Sequence, residues 1–164
     1  MVYVIAILAW VIDQGLKWVV RSHLLPDQLV PVLPPAFYFD YIRNPGAAFG
    51  ILPNARWLFI VVALIVIVAV IVIQRRWHLG VFAQVGLGLV LGGAVGNLTD
   101  RVISGTVVDY VYFKPINFPI FNFADVCIDV GVAILILTAL LGERQGRTSG
   151  RASTPAEVRG EADE

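Results

Sequence analysis

The chain has 164 residues, of which 58% are hydrophobic and 15% charged, with mean hydropathy +0.80 and a formal net charge of zero. Soluble domains carry about 25% charged residues, so this composition points to a membrane protein, and its balanced charge gives no argument for nucleic-acid binding. A lone cysteine, Cys127, excludes an intramolecular disulfide and a cysteine-cluster metal site, and His23 and His78 lie too far apart for zinc-type spacing; no metal or organic cofactor is expected.

Val2 to Val20 is apolar apart from Asp13, Gln14 and Lys17, and reads as a first spanning helix. It has neither the basic start nor the small-residue cleavage site of a signal peptide. Asp13 and Lys17 are four residues apart, hence on one helix face where they can pair. Such a pair either makes two intramembrane charges tolerable or belongs to a functional site.

Residues 22–55 hold Pro26, Pro31, Pro34, Pro35, Pro45 and Pro53, which forbid a long helix. Phe37 to Arg43 is aromatic and β-branched and reads as a strand; Gln28 to Leu33 can pair with it, with Pro31 favouring an edge. The aromatics suggest a small sheet at the membrane interface. Asn44 to Gly50 (NPGAAFG) follows, with small residues that allow close backbone approach.

Trp57 to Ile73 has no charge, Gly or Pro and is the cleanest span. Arg75 and Arg76 then mark a short basic loop, in which His78 reads as solvated. Gly80 to Leu98 is the third span. Gly88, Gly92 and Gly96 recur every fourth residue within it, a spacing that lets helices pack closely. For Gly92, Gly93 and Gly96, close access for a substrate is the competing reading. Asn97, Asp100 and Arg101 close this helix. Residues 102–120 read as a second extramembrane loop. Phe123 to Leu141 is the fourth span, with Asn122 placed to cap it and Asp125 and Asp129 one turn apart near its start. Cys127 reads as a small buried hydrophobe. Residues 143–164, without an apolar run, read as a disordered tail.

The fold class expected is therefore a mainly α membrane protein, residues 1–142. Four helices span about 2–20, 57–73, 80–98 and 123–141, with an outward β-sheet region between the first two and an outer loop between the last two. Arg75, Arg76, Arg144, Arg147 and Arg151 put the loop after the second span and the tail on one side, so both termini are expected in the cytoplasm and the polar cluster at the outer face. Two Asp residues on separate elements, held near each other there, could share a proton and run acid–base chemistry. A small proton-coupled transporter is the alternative that such intramembrane acids allow. Against it, the polar residues gather toward one interface and no inverted repeat is evident.

Five blocks occur in order: Asp13-Gln14 with Lys17; Asn44 to Gly50; Gly92-Gly93 with Gly96-Asn97 and Asp100-Arg101; Val107-Val108-Asp109-Tyr110; and Phe121-Asn122 with Ala124-Asp125. Together they resemble the lipoprotein signal peptidases, or signal peptidase II, over roughly residues 1–142. The resemblance implies an aspartyl protease of the bacterial inner membrane. It acts on prolipoproteins whose lipobox Cys already carries diacylglycerol and cuts just before that Cys. It implies Asp109 and Asp125 as the catalytic pair, surrounded by Asp13, Lys17, Asn44, Asn97, Asp100, Arg101 and Asn122; Gly92 is expected near the substrate from its place beside the polar cluster. Membrane lipids are the other expected partners. Asp129 departs from the family pattern, where a small or apolar residue is expected.

Overall fold

The computed structural model describes residues 1–46, 51–77 and 79–151, with side chains described to residue 141. The elements in chain order are α1 (Val2–His23), β1 (Leu29–Leu33), β2 (Phe37–Asn44), α2 (Arg56–Arg76), α3 (Val81–Ser104), β3 (Val107–Phe113), a short 3-10 turn (Lys114–Ile116) and α4 (Phe123–Arg151). Among the described residues, four helices are long and apolar enough to cross a membrane.

The outer helices are apolar on faces that the protein itself does not cover. In α2 only Ile60 and Val70 are buried, while Trp57, Val61, Ile65 and Val68 are exposed. In water such a surface would be an aggregation liability; in hydrocarbon it is the solvated face. α3 is the central element and packs against α1, α2 and α4. Its glycines explain how. A Cβ on Gly92 would stand 2.6 Å from Ala9 Cβ and 2.7 Å from Ala6 O of α1. On the adjoining face, a Cβ on Gly86 would stand 2.9 Å from Gly131 O of α4. Bare backbone thus meets neighbouring helices on two sides, and dispersion at close range replaces the missing hydrophobic drive. Gly92, expected near the substrate, is a buried packing residue against α1.

The three strands form an antiparallel sheet in the order β1-β2-β3. Pro31 lies on the edge strand, as its missing N–H requires. One face of the sheet packs Tyr41, Val108 and Tyr110 against Val20 and Leu24 at the end of α1. The third strand is absent from the sequence-based reading, which has a loop over 102–120. Val107 to Phe113 pairs with β2, and Val111 also bridges to Phe121, so the backbone donors at this level are bonded within the protein.

Two helices run on beyond the expected spans. α3 continues to Ser104 and stops at Gly105, whose φ of +81° forms a left-handed cap. Asp100 does not end it, because its carboxylate is buried and paired rather than wet. The helix α4 extends to Arg151, so residues 143–151 are helical where a disordered tail was expected. Ala47 to Gly50, His78 and residues 152–164 lie outside the described residues.

Replacing Gly92 by Leu is expected to destroy the α1–α3 contact, since overpacking against backbone costs about 1–3 kcal/mol or more. Yield of monodisperse protein in detergent and its unfolding temperature measure this; wild-type values would refute the packing role.

Candidate active site

The polar cluster is built outward from Lys17. Its Nζ lies 2.9 Å from Asp13 Oδ2 and 2.9 Å from Asp100 Oδ2, and donates to Asn97 Oδ1 at 3.1 Å. An ammonium has three protons to give, and each finds an acceptor. Lys17 and Asp13 are fully buried and Asp100 nearly so. Arg21, partly exposed, adds a longer contact of 3.9 Å to Asp100 Oδ1.

Each acceptor then reaches another element. Asp100 Oδ2 accepts the Val108 N–H of β3 at 3.3 Å. Asp13 Oδ1 accepts the Ala124 N–H of α4 at 3.1 Å. Room for that carboxylate comes from Gly96, where a Cβ would stand 2.5 Å from Asp13 Oδ2. Asn97 Nδ2 donates to Asp125 Oδ1 at 2.7 Å.

The N-terminus of α4 is completely capped. A helix leaves its first four N–H groups without intrahelical partners. Here Asn122 N–H bonds Asp125 Oδ2 at 3.1 Å and Asp125 N–H bonds Asn122 Oδ1 at 3.0 Å, a reciprocal capping box. Phe123 N–H bonds the Tyr110 hydroxyl at 3.3 Å, and Ala124 N–H takes Asp13. The orientation of Asp125 is therefore fixed by its own helix end.

Asp109 approaches from β3. It faces Ile42 across the β2–β3 ladder, which places Asn44 diagonally beside it. Asn44 Nδ2 donates to Asp109 Oδ2 at 2.9 Å, and Asn122 Nδ2 donates to Asp109 Oδ1 at 2.6 Å. Asn122 thus touches both acids at once. Burial pushes the Asp109 carboxyl up to about 6, helped by the charge of Asp125 and opposed by the amide donors and by Lys17. Burial likewise raises the Tyr110 hydroxyl.

Asp109 and Asp125 open onto one cavity of about 360 Å³. Its walls include Phe59, Phe118 and Phe121, with Asp129 further along α4. Arg101 lines it too, stacked 4.8 Å over Phe59 and donating to Gly46 O at 3.2 Å. The arrangement is a pocket with apolar aromatic walls that also carries Arg101 and three acids, of which Asp109 and Asp125 are held by neutral amides.

Residues 5–141 match the model of the family described as signal peptidase (SPase) II. The chain belongs to the signal peptidase II family. A lipoprotein signal peptidase of Symbiobacterium thermophilum is 42% identical over 146 residues, covering 87% of this chain and 96% of the relative. One from Halalkalibacterium halodurans is 41% identical over 149 residues, covering 88% and 95%. A solved bacterial membrane enzyme, determined by the in meso method at 2.3 Å, superposes with TM-score 0.81 at 31% identity, covering 96% of this chain and 94% of that one. A second, at 1.9 Å, gives TM-score 0.78 over 85% and 92%. The chain is thus a multi-pass bacterial membrane protease.

Of the residues singled out from sequence, Asp13, Lys17, Asn97, Asp100, Asp109, Asn122 and Asp125 form one bonded network, joined at Asp109 by Asn44. Arg101 adjoins it through the Asn97 carbonyl at 3.4 Å. Gly92 stands outside it. Two participants were not anticipated: the Tyr110 hydroxyl that caps α4, and Gly96 as the seat of the Asp13 carboxylate. The alternating β-branched and aromatic pattern of Val107 to Phe113 is the signal that would have placed Tyr110 on a strand.

Lys17→Met leaves buried carboxylates uncompensated and is expected to cost about 3–5 kcal/mol. Thermal unfolding in detergent measures it; a variant as stable as wild type would show that Lys17 is not the centre of the network.

Proposed function

We propose that this protein removes the signal peptide from diacylglyceryl-modified prolipoproteins by aspartyl-type hydrolysis, cutting just before the lipid-modified lipobox Cys. The observation that carries the reading is the pair Asp109 and Asp125 on one cavity wall, coupled through Asn122, with Asp109 raised to about 6. Such a pair can hold one proton between two roles. Asp109 is the protonated member and donates a hydrogen bond to the scissile carbonyl. Asp125 takes a proton from water as the water oxygen attacks the carbonyl carbon. The tetrahedral intermediate collapses with C–N cleavage, and a carboxyl proton passes to the leaving amine. Asn44, Asn97 and Asn122 hold the carboxylates, and Arg101 and the Gly46 carbonyl border the path of the substrate.

The site lies at the end where α1 and α3 finish and α2 and α4 begin, beside the sheet. With Arg75 and Arg76 at the opposite end, the basic-residue rule supports an outward-facing site with both termini in the cytoplasm. Phe118, Ile120 and Phe121 supply apolar wall for a lipid-modified residue.

Asp109→Asn and Asp125→Asn keep volume but remove the titrating group, and each is expected to lower turnover by at least about 10³-fold. Cleavage of a diacylglyceryl lipobox peptide by purified protein reads this; retained turnover in either variant would end the assignment. The same peptide without diacylglycerol should be cut very poorly, and equal rates on both would remove lipid recognition.

The pH profile gives an independent check. A proton on Asp109 is needed, so kcat/KM should fall as pH rises above about 6. Asp129 lies one turn beyond Asp125, about 6 Å along the helix, and lines the same cavity. Its carboxyl is near enough to the pair for its charge to act on the proton they share. Asp129→Asn is expected to retain turnover and move the alkaline limb to lower pH; a folded but inactive variant would place Asp129 among the catalytic groups.

A further inference from the structure

A second cavity, of about 550 Å³, lies beside the first. The two share Asn44, Phe118, Pro119 and Ile120, so these residues form a partition with a cavity on each side. The linings otherwise differ in kind. The first cavity is walled partly by spanning helices, through Phe59, Asn97, Arg101, Asp125 and Asp129. Among the described residues, the second is lined by the sheet, Pro45 and the 117–120 segment, and by none from a spanning helix. It includes Asp40, Arg43, Tyr112 and Asn117, and Tyr112 and Asn117 are themselves joined by a 2.6 Å hydrogen bond. Its volume falls within the range of ligand pockets, roughly 300–1,000 Å³.

We infer that this second cavity is the subsite for the polypeptide just after the lipid-modified Cys, the first residues of the mature protein. The inference rests on the proposed reading of the dyad. A peptide whose scissile bond lies between Asp109 and Asp125 must leave the site in two directions. The signal segment is apolar and continues along the membrane, on the side of the helix-lined cavity. The mature segment must reach water, and the extramembrane cavity adjoining the dyad is the second one. The partition residue Asn44, bonded to Asp109, would stand at the crossing point. Asp40 and Arg43 offer both an acceptor and donors, which suits an extended backbone carrying polar side chains. An acyl chain is poorly served by such a lining, since charged groups would lose solvation against it.

The test compares two diacylglyceryl lipobox peptides, one ending at the Cys as an amide and one carrying four further polar residues. With wild-type protein the longer peptide is expected to have a kcat/KM at least about fivefold higher, mainly through KM. Leu29, exposed on the edge strand and lining this cavity, is the place to block it. Leu29→Trp should cut the advantage to about twofold or less while keeping kcat on the short peptide. As a second measurement, a photoreactive residue placed two positions after the Cys, bound to Asp109→Asn protein, should label residues 40–45 or 117–120. Equal kcat/KM for both peptides with wild type, an undiminished advantage in Leu29→Trp, or labelling confined to α2 or α4 would each overturn the subsite. Cleavage of neither peptide by wild type would overturn the proposed peptidase reading, and the subsite with it.

Discussion

The ammonium of Lys17 is the constraint on which the arrangement of this protein depends. A buried cation is tolerable only when its charge and its donors are all met. Lys17 meets them with Asp13 from its own helix and with Asp100 and Asn97 from α3. Those acceptors are bifunctional. Asp13 holds the start of α4, Asp100 holds β3 one residue before Asp109, and Asn97 holds Asp125. One side chain on α1 thereby fixes the relative placement of a strand and a helix that are remote from it in sequence. Two acids on separate elements can act on one bond only if their separation is reproducible, because small misplacements are costly to catalysis.

This network requires helices that approach more closely than side chains normally allow. Asp13 can reach Ala124 only because Gly96 has no Cβ, and α1 sits near enough because Gly92 meets Ala6 and Ala9 directly. The glycine spacing and the charged residues thus belong to one mechanism. Close packing of bare backbone brings α1 and α3 together, and the salt bridge then locks their register. The strength of buried ion pairs lies less in net stability than in the penalty for the wrong arrangement.

The four spans were legible because membrane helices are read from length and apolarity, which need no tertiary information. The strand pair β1–β2 was legible from aromatics and prolines. β3 was not, because Val107 to Phe113 stands between turn-forming segments and its partner strand lies more than sixty residues earlier. The network was legible as a list of residues but not as a wiring. Spacing pairs Asp13 with Lys17, but nothing in it joins Asp100 to that pair. The structure instead joins Asp100 to Lys17 and turns Arg101 toward Phe59 and Gly46. Consecutive residues on a helix point in different directions, so adjacency in sequence is a poor guide to pairing.

The partners of the four networked acids separate them into two chemical kinds. Asp13 and Asp100 contact the Lys17 ammonium and bond a backbone N–H. The ammonium at 2.9 Å occupies the carboxylate oxygens with its own charge-assisted bonds, which ties these two acids to the helix contact. Asp109 and Asp125 are held by the amides of Asn44, Asn97 and Asn122 and by the backbone of Asn122. A neutral amide can donate to a carboxylate and still leave a lone pair where a proton can sit. It fixes geometry without fixing charge. The proposed proton transfer needs that combination, and Asp109 and Asp125, both on the cavity wall, have it. In the proposed mechanism, asparagine around one pair and lysine beside the other is therefore what divides positioning carboxylates from the reactive ones.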